Sequence, residues 1–201
     1  LSLSGFADED LIKFKISKTE YLKINPECIH DDDCQVCAKI DIDYVDENKN
    51  LCLRLGNEAL SDFCYKITES GRIQKLIDGK MLINYSVTTD LGFEWNQYFE
   101  GKIQDTDVDK YHCWTNNQQK NNSYSCWLYN DKKGNIVFEI TPFYPWHGET
   151  KKSHPDFITY KKFMKNYKPT LKTIIPKKNL KQWIVQAREL EKKYFSEFEK
   201  S

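Results

Sequence analysis

A chain of 201 residues is long enough to bury one sizeable core. Its 30 basic and 30 acidic side chains cancel, so there is no global field to draw in nucleic acid or anionic lipid. No apolar run approaches the roughly 18 residues that a membrane-spanning helix requires.

The composition is rich in Tyr (12), Phe (11) and Trp (5), which favours sheet over a helix bundle. Residues 1–7 read Leu-Ser-Leu-Ser-Gly-Phe-Ala and precede a polar Asp-Glu-Asp. Gly5 and Ala7 stand at the −3 and −1 positions of a cut after Ala7, the pattern that ends a secretory signal peptide. The competing reading is a vector remnant. Residues 8–201 are expected to form one α+β domain, strand-rich over 8–141, looped over 142–152 and helical over 153–200. The seven cysteines suit an oxidising, extracytoplasmic compartment, periplasmic or secreted.

In chain order, Leu11 to Ile16 alternates as an edge-like strand, and Tyr21 to Ile24 continues it as far as Asn25-Pro26. Cys28, His30, Cys34 and Cys37 follow. Their spacing offers four zinc ligands, but without a second knuckle one disulfide among the three cysteines is the favoured reading, and no metal or other cofactor is expected. Ala38 to Val45 and Leu51 to Leu55 alternate across the turn 46–50. Phe63, Tyr65 and Ile67 share a face in a further strand-like run, and a hairpin here would set Cys52 beside Cys64 for a disulfide. Arg72–Ile77 and Lys80–Thr88 flank Asp78-Gly79, a short-range hairpin signal. Phe93–Phe99 is aromatic and strand-like, and residues 105–110 are an acidic loop.

The stretch Tyr111–Tyr129 places two aromatic, cysteine-bearing runs about a polar loop, so it reads as a hairpin with Cys113 opposite Cys126 and a second disulfide. Ile136, Phe138 and Ile140 alternate in the next strand. This succession of hairpins predicts a mostly antiparallel, twisted sheet. At Pro142 the character changes. A Pro-punctuated aromatic loop gives way to two helices with apolar stripes, Phe157–Tyr167 and Leu180–Phe198, expected to pack on the sheet. The fold class is therefore α+β.

The chemistry is sparse. No nucleophile elbow, P-loop, dinucleotide fingerprint or His-Glu-x-x-His occurs. His147, Glu149 and His154 could form an acid–base group, but nothing in the spacing makes loop residues converge. Trp95, Trp114, Trp127, Tyr144 and Trp146 could build an aromatic platform for sugar rings or a protein. Asn84-Tyr-Ser86 and Asn121-Asn-Ser123 match glycosylation sequons.

The expectation is a non-catalytic, extracytoplasmic protein-binding protein. In general build it resembles the small secreted or periplasmic immunity proteins with which bacteria neutralise a toxin, an analogy carried by no specific motif. The resemblance implies a protein partner, while the balanced charge argues against nucleic acid and the hydropathy against a membrane span. Tyr144 and Trp146 are the expected anchors, with His147 beside them and Asp105, Asp107 and Asp109 as a charged surface. The alternatives are a secreted hydrolase, using His147, Glu149 and His154 or a Cys/His zinc site, and a carbohydrate-binding module.

Overall fold

The computed structural model describes residues 12–30, 36–83, 90–116, 123–147 and 154–195. The chain forms two compact units, one of residues 1–73 with 178–201 and one of residues 74–177. Each carries a four-stranded antiparallel sheet with helices, so the fold is α+β, as the alternation of the sequence implies.

In the first unit the strands β1 (Ile12–Lys15), β2 (Glu20–His30), β3 (Val36–Asp46) and β4 (Leu51–Ala59) pair in sequence order. Register aligns Phe14, Leu22, Tyr44 and Leu53 across all four, and Ile12, Ile24 and Ile42 across three. The period-two pattern puts these apolar residues on one face, which α1 (Leu60–Thr68) and α5 (Lys177–Phe195) help to bury. Phe14 meets Phe63 and Trp183 edge-on, at 5.2 and 5.9 Å between centroids. The other face holds charges, with Arg54 bridging Asp41 and Asp43.

Helix α5 also covers the chain of the edge strand. Gln186, Trp183 and Asn179 donate to the carbonyls of Lys13, Lys15 and Ile16 at 3.0, 2.8 and 3.0 Å. These acceptors would otherwise be an unpaired row open to another strand.

The second unit has the strand order β5 (His112–Asn116), β6 (Tyr124–Asn130), β7 (Ile136–Pro142) and β8 (Leu171–Ile175). On one face Trp127, Tyr129 and Val137 form a core with Leu91 and Trp95 of α3 (Leu91–Phe99), and with Val108, Tyr111 and Phe143. The opposite face, with Cys126, Leu128, Phe138 and Ile140, is equally buried.

Three runs read as strands are helices. In α1 the buried set is Leu60, Phe63, Cys64 and Ile67, a helical spacing, and Tyr65, which strand alternation would bury with Phe63 and Ile67, is 57% exposed. Asp78-Gly79 closes α2 (Arg72–Ile77) and turns no hairpin. Gly79, at φ 73°, donates to Leu76 at 3.1 Å and Lys80 to Lys75 at 2.8 Å, a Schellman cap. Gly101 ends α3 in the same way, through Tyr98 and Gln97. The two C-terminal helices are present as α4 (Tyr160–Lys165), capped by Thr159, and α5, with the unforeseen strand β8 between them.

The expected Cys52–Cys64 and Cys113–Cys126 disulfides are not formed. Cys52 is exposed on β4 opposite Val45, whereas Cys64 is buried on α1 with its thiol 3.5 Å from the Ala187 carbonyl. No hairpin joins them, because the second run is a helix. A register shift between His112 and Trp114 puts Trp114, not Cys113, opposite Cys126. Cys28 and His30 lie on β2 and Cys37 on β3, where Ile29 pairs with Cys37, while Cys34 lies outside the described residues.

Candidate functional site

The loop after β7 is tied to α3 by one side chain. Asn96, fully buried, accepts from the Tyr144 amide at 2.7 Å and donates to the carbonyls of Gly92 and Pro142 at 2.7 and 3.0 Å. Helix α3 is itself held at its start, where the Asp90 side chain accepts from the amides of Gly92 and Phe93 at 3.0 and 3.1 Å. No room exists there for a larger residue, since a Cβ on Gly92 would meet Thr141 Oγ1 at 2.1 Å.

The expected anchors are interior. Tyr144 is 3% exposed and its hydroxyl donates to the Ile158 carbonyl at 3.0 Å. Trp146 is 1% exposed, packed between His154 and Phe157 at 4.8 and 5.8 Å. Neither can reach a partner without unpacking the loop. Trp95, Trp114 and Trp127 are likewise buried, so they do not make a sugar platform.

His147 is enclosed as well. Its Nδ1 lies 3.2 Å from Glu100 Oε2, and Phe99, Phe143 and Tyr144 surround the ring at 5.6, 5.1 and 5.0 Å. Burial pushes its pKa below the usual histidine value, and the hydrogen bond and charge of Glu100 oppose that shift. With Glu100 ionised, Nδ1 carries the proton and Nε2 keeps its lone pair, but Nε2 is buried and has no hydrogen-bond partner. A base sealed from solvent cannot serve a substrate in this conformation. His154 packs on Trp146, and its Nδ1 accepts from the Asp156 amide at 3.2 Å in a local turn. Glu149 lies outside the described residues. His112 stacks on Trp95 at 5.0 Å and bonds Thr115 at 2.6 Å. Among the described residues no group of three His, Cys, Asp or Glu side chains could hold a metal.

A second polar cluster lies under α3. Tyr129 donates to Glu139 at 2.6 Å, Lys172 stands 3.5 Å from the same carboxylate, and Tyr167 donates to Asp90. Burial pushes the Glu139 pKa up, the Tyr129 hydrogen bond opposes it, and the nearby Asp90 charge adds to the rise. This cluster is an interior device of the sheet, with Glu139 4% exposed.

What does reach the surface is the end of α3. Tyr98 and Phe99 are 40% and 45% exposed, and both rest on Trp95, at 5.9 and 4.8 Å. Phe99 also packs on Phe143 at 5.4 Å. The acidic segment runs beside the same helix, because Thr106 donates to Glu94 at 2.6 Å and Val108 is buried in the core. Glu94 and Tyr98 are four residues apart and share a helix face. Asp105, Asp107 and Asp109 are exposed there, with Lys110 3.1 Å from Asp107. The sequence reading locates this acidic surface and misses its aromatic companions. The missed signal is the helical spacing of Leu91, Trp95 and Phe99, with Asp90 as a cap ahead of it. Comparison with protein-family models, with curated proteins and with solved structures finds no match to this chain.

Proposed function

We propose that the protein is a non-catalytic binding protein whose docking face is the exposed pair Tyr98 and Phe99 with the acidic rim Asp105, Asp107 and Asp109. The observation that carries the reading is the seating of two exposed aromatic rings on a buried aromatic base, with carboxylates beside them. Binding hot spots are dominated by such rings where ordering them costs little entropy, and charged rims set partner choice and encounter rate. The partner that fits is a protein with a basic rim around an apolar depression. By its build we assign the protein to the immunity type, neutralising a secreted toxin, and location outside the cytoplasm belongs to the same proposal because the toxin is met there. The hydrolase reading is disfavoured by the sealed Nε2 of His147.

The test is cross-linked capture from the source cells with the wild type and two variants, Tyr98→Ala with Phe99→Ala, and Asp105→Lys with Asp107→Lys and Asp109→Lys. A partner held by the wild type and lost by both variants is expected. Expressed alone it should inhibit growth, and co-expression should relieve the inhibition. A partner retained by both variants refutes the docking face, and one harmless when expressed alone refutes the immunity role.

A further inference from the structure

Residues of 123–124, 142–145 and 158–170 line a cavity of about 390 Å³. Phe143, Pro145, Ile158 and Phe163 give it an apolar lining, and the exposed residues Asn166 and Lys168 stand at its edge. The volume falls in the range of small-molecule sites, which combine apolar walls with few polar groups. The walls are tied together by hydrogen bonds. Phe143 donates to Ser123 and Thr170 to Ile140, each at 2.9 Å, and the Tyr144 hydroxyl holds Ile158 at 3.0 Å.

The helix that supplies Phe163 is basic. Lys161, Lys162, Lys165 and Lys168 crowd into eight residues, all exposed, and among the described residues no carboxylate forms an ion pair with any of them. Such a run raises the local concentration of anions and penalises cations. Lys168 is the charged side chain of the lining, beside the hydroxyls of Ser123, Tyr124 and Thr170.

We propose that this cavity binds a small organic anion with an aryl body and a carboxylate end. The ring fills the space between Phe143 and Phe163, and the carboxylate meets the ammonium of Lys168. Removing apolar surface from water supplies the affinity, and the lysine selects the charge. Phe143 also packs on Phe99, so the site adjoins the docking face, but it does not depend on that reading.

The probes are 4-phenylbutyrate and its neutral counterpart 4-phenylbutanol, titrated into the whole chain and followed by calorimetry and by the methyl resonances of Ile158. The carboxylate is expected to bind at least about tenfold tighter than the alcohol, the ratio of a 1.4 kcal/mol contact. Lys168→Glu, at an exposed position, should abolish that preference. Thr170→Trp, which puts a bulky ring at an exposed lining position, should weaken both probes. Absence of binding by either probe, equal binding of the two, or a preference that survives Lys168→Glu would overturn the proposal.

Discussion

Asn96 binds the backbone of Tyr144 at 2.7 Å across 48 residues of chain, and so joins α3 to the loop that follows β7. The exposed Tyr98 and Phe99 lie within one turn of that bond. Their presentation to a partner depends on an amide that is itself wholly buried. Asn96→Ala leaves the Tyr144 amide and the Pro142 carbonyl without their partner. At about 1–3 kcal/mol for each orphaned group, the variant should melt well below the wild type. Unfolding in urea, followed by tryptophan fluorescence, measures the loss. An unchanged midpoint would show that the tether contributes nothing.

His147 and Glu100 predict a pH dependence with a definite sign. Burial lowers the folded pKa of His147 below its unfolded value of about 6.5. The unfolded chain therefore takes up this proton first. The contribution of the group is complete above about 6.5 and is lost as pH falls through that value towards the folded one. Glu100 holds the folded value up, so Glu100→Gln should depress it further and widen the range over which stability falls. Imidazole shifts in an NMR titration test this directly. A His147 that titrates above 6.5 would contradict it.

Glu139 works in the opposite sense. Burial raises its folded pKa above the unfolded one, so its ionisation costs stability as pH rises from about 4.3 through the folded value. Glu139→Gln keeps an acceptor for the Tyr129 hydroxyl and removes the buried charge. It should match or exceed the wild type at pH 7, and the difference should shrink towards pH 4. Glu139→Ala instead strands that hydroxyl and should cost about 1–3 kcal/mol. Denaturant midpoints at the two pH values separate these outcomes.

The cysteines predict a labelling pattern. Burial, with the charges of Glu191 and Glu58, pushes the Cys64 thiol up to about 12, so it holds almost no thiolate at neutral pH. Cys52 is exposed on β4. Brief iodoacetamide treatment of the native protein should modify Cys52 and spare Cys64 until the chain is unfolded. Recovery of a Cys52–Cys64 cross-linked peptide from unreduced protein would refute the pairing of strands and helices described above.

The parts of the fold legible in the sequence are those where one periodicity stands alone. Phe14 and Ile16 against Lys13 and Lys15, or the stripe Leu180, Trp183, Ala187 and Leu190, admit one interpretation. Short runs such as Phe63–Ile67 fit both periods. Only the exposure of Tyr65, decided by what packs around α1, tells helix from strand. Asp78-Gly79 misleads for a related reason, since glycine at positive φ ends a helix as readily as it turns a hairpin. The candidate site divides along the same line. The acidic run at 105–109 announces its exposure by charge. Tyr144 and Trp146 carry no signal that a distant Asn96 draws their loop inward, and Glu100 could not be matched to His147 without the contact that joins them.

The docking face is tested most directly by calorimetric titration of the captured partner into the wild type, into the protein with Tyr98→Ala and Phe99→Ala, and into one with Asp105, Asp107 and Asp109 changed to Asn. The account predicts at least about a hundredfold loss of affinity for the aromatic variant, the scale of two hot-spot rings. It also predicts a smaller loss for the acidic variant, together with a flatter dependence on salt. Affinity and salt dependence identical to the wild type in both variants would contradict it.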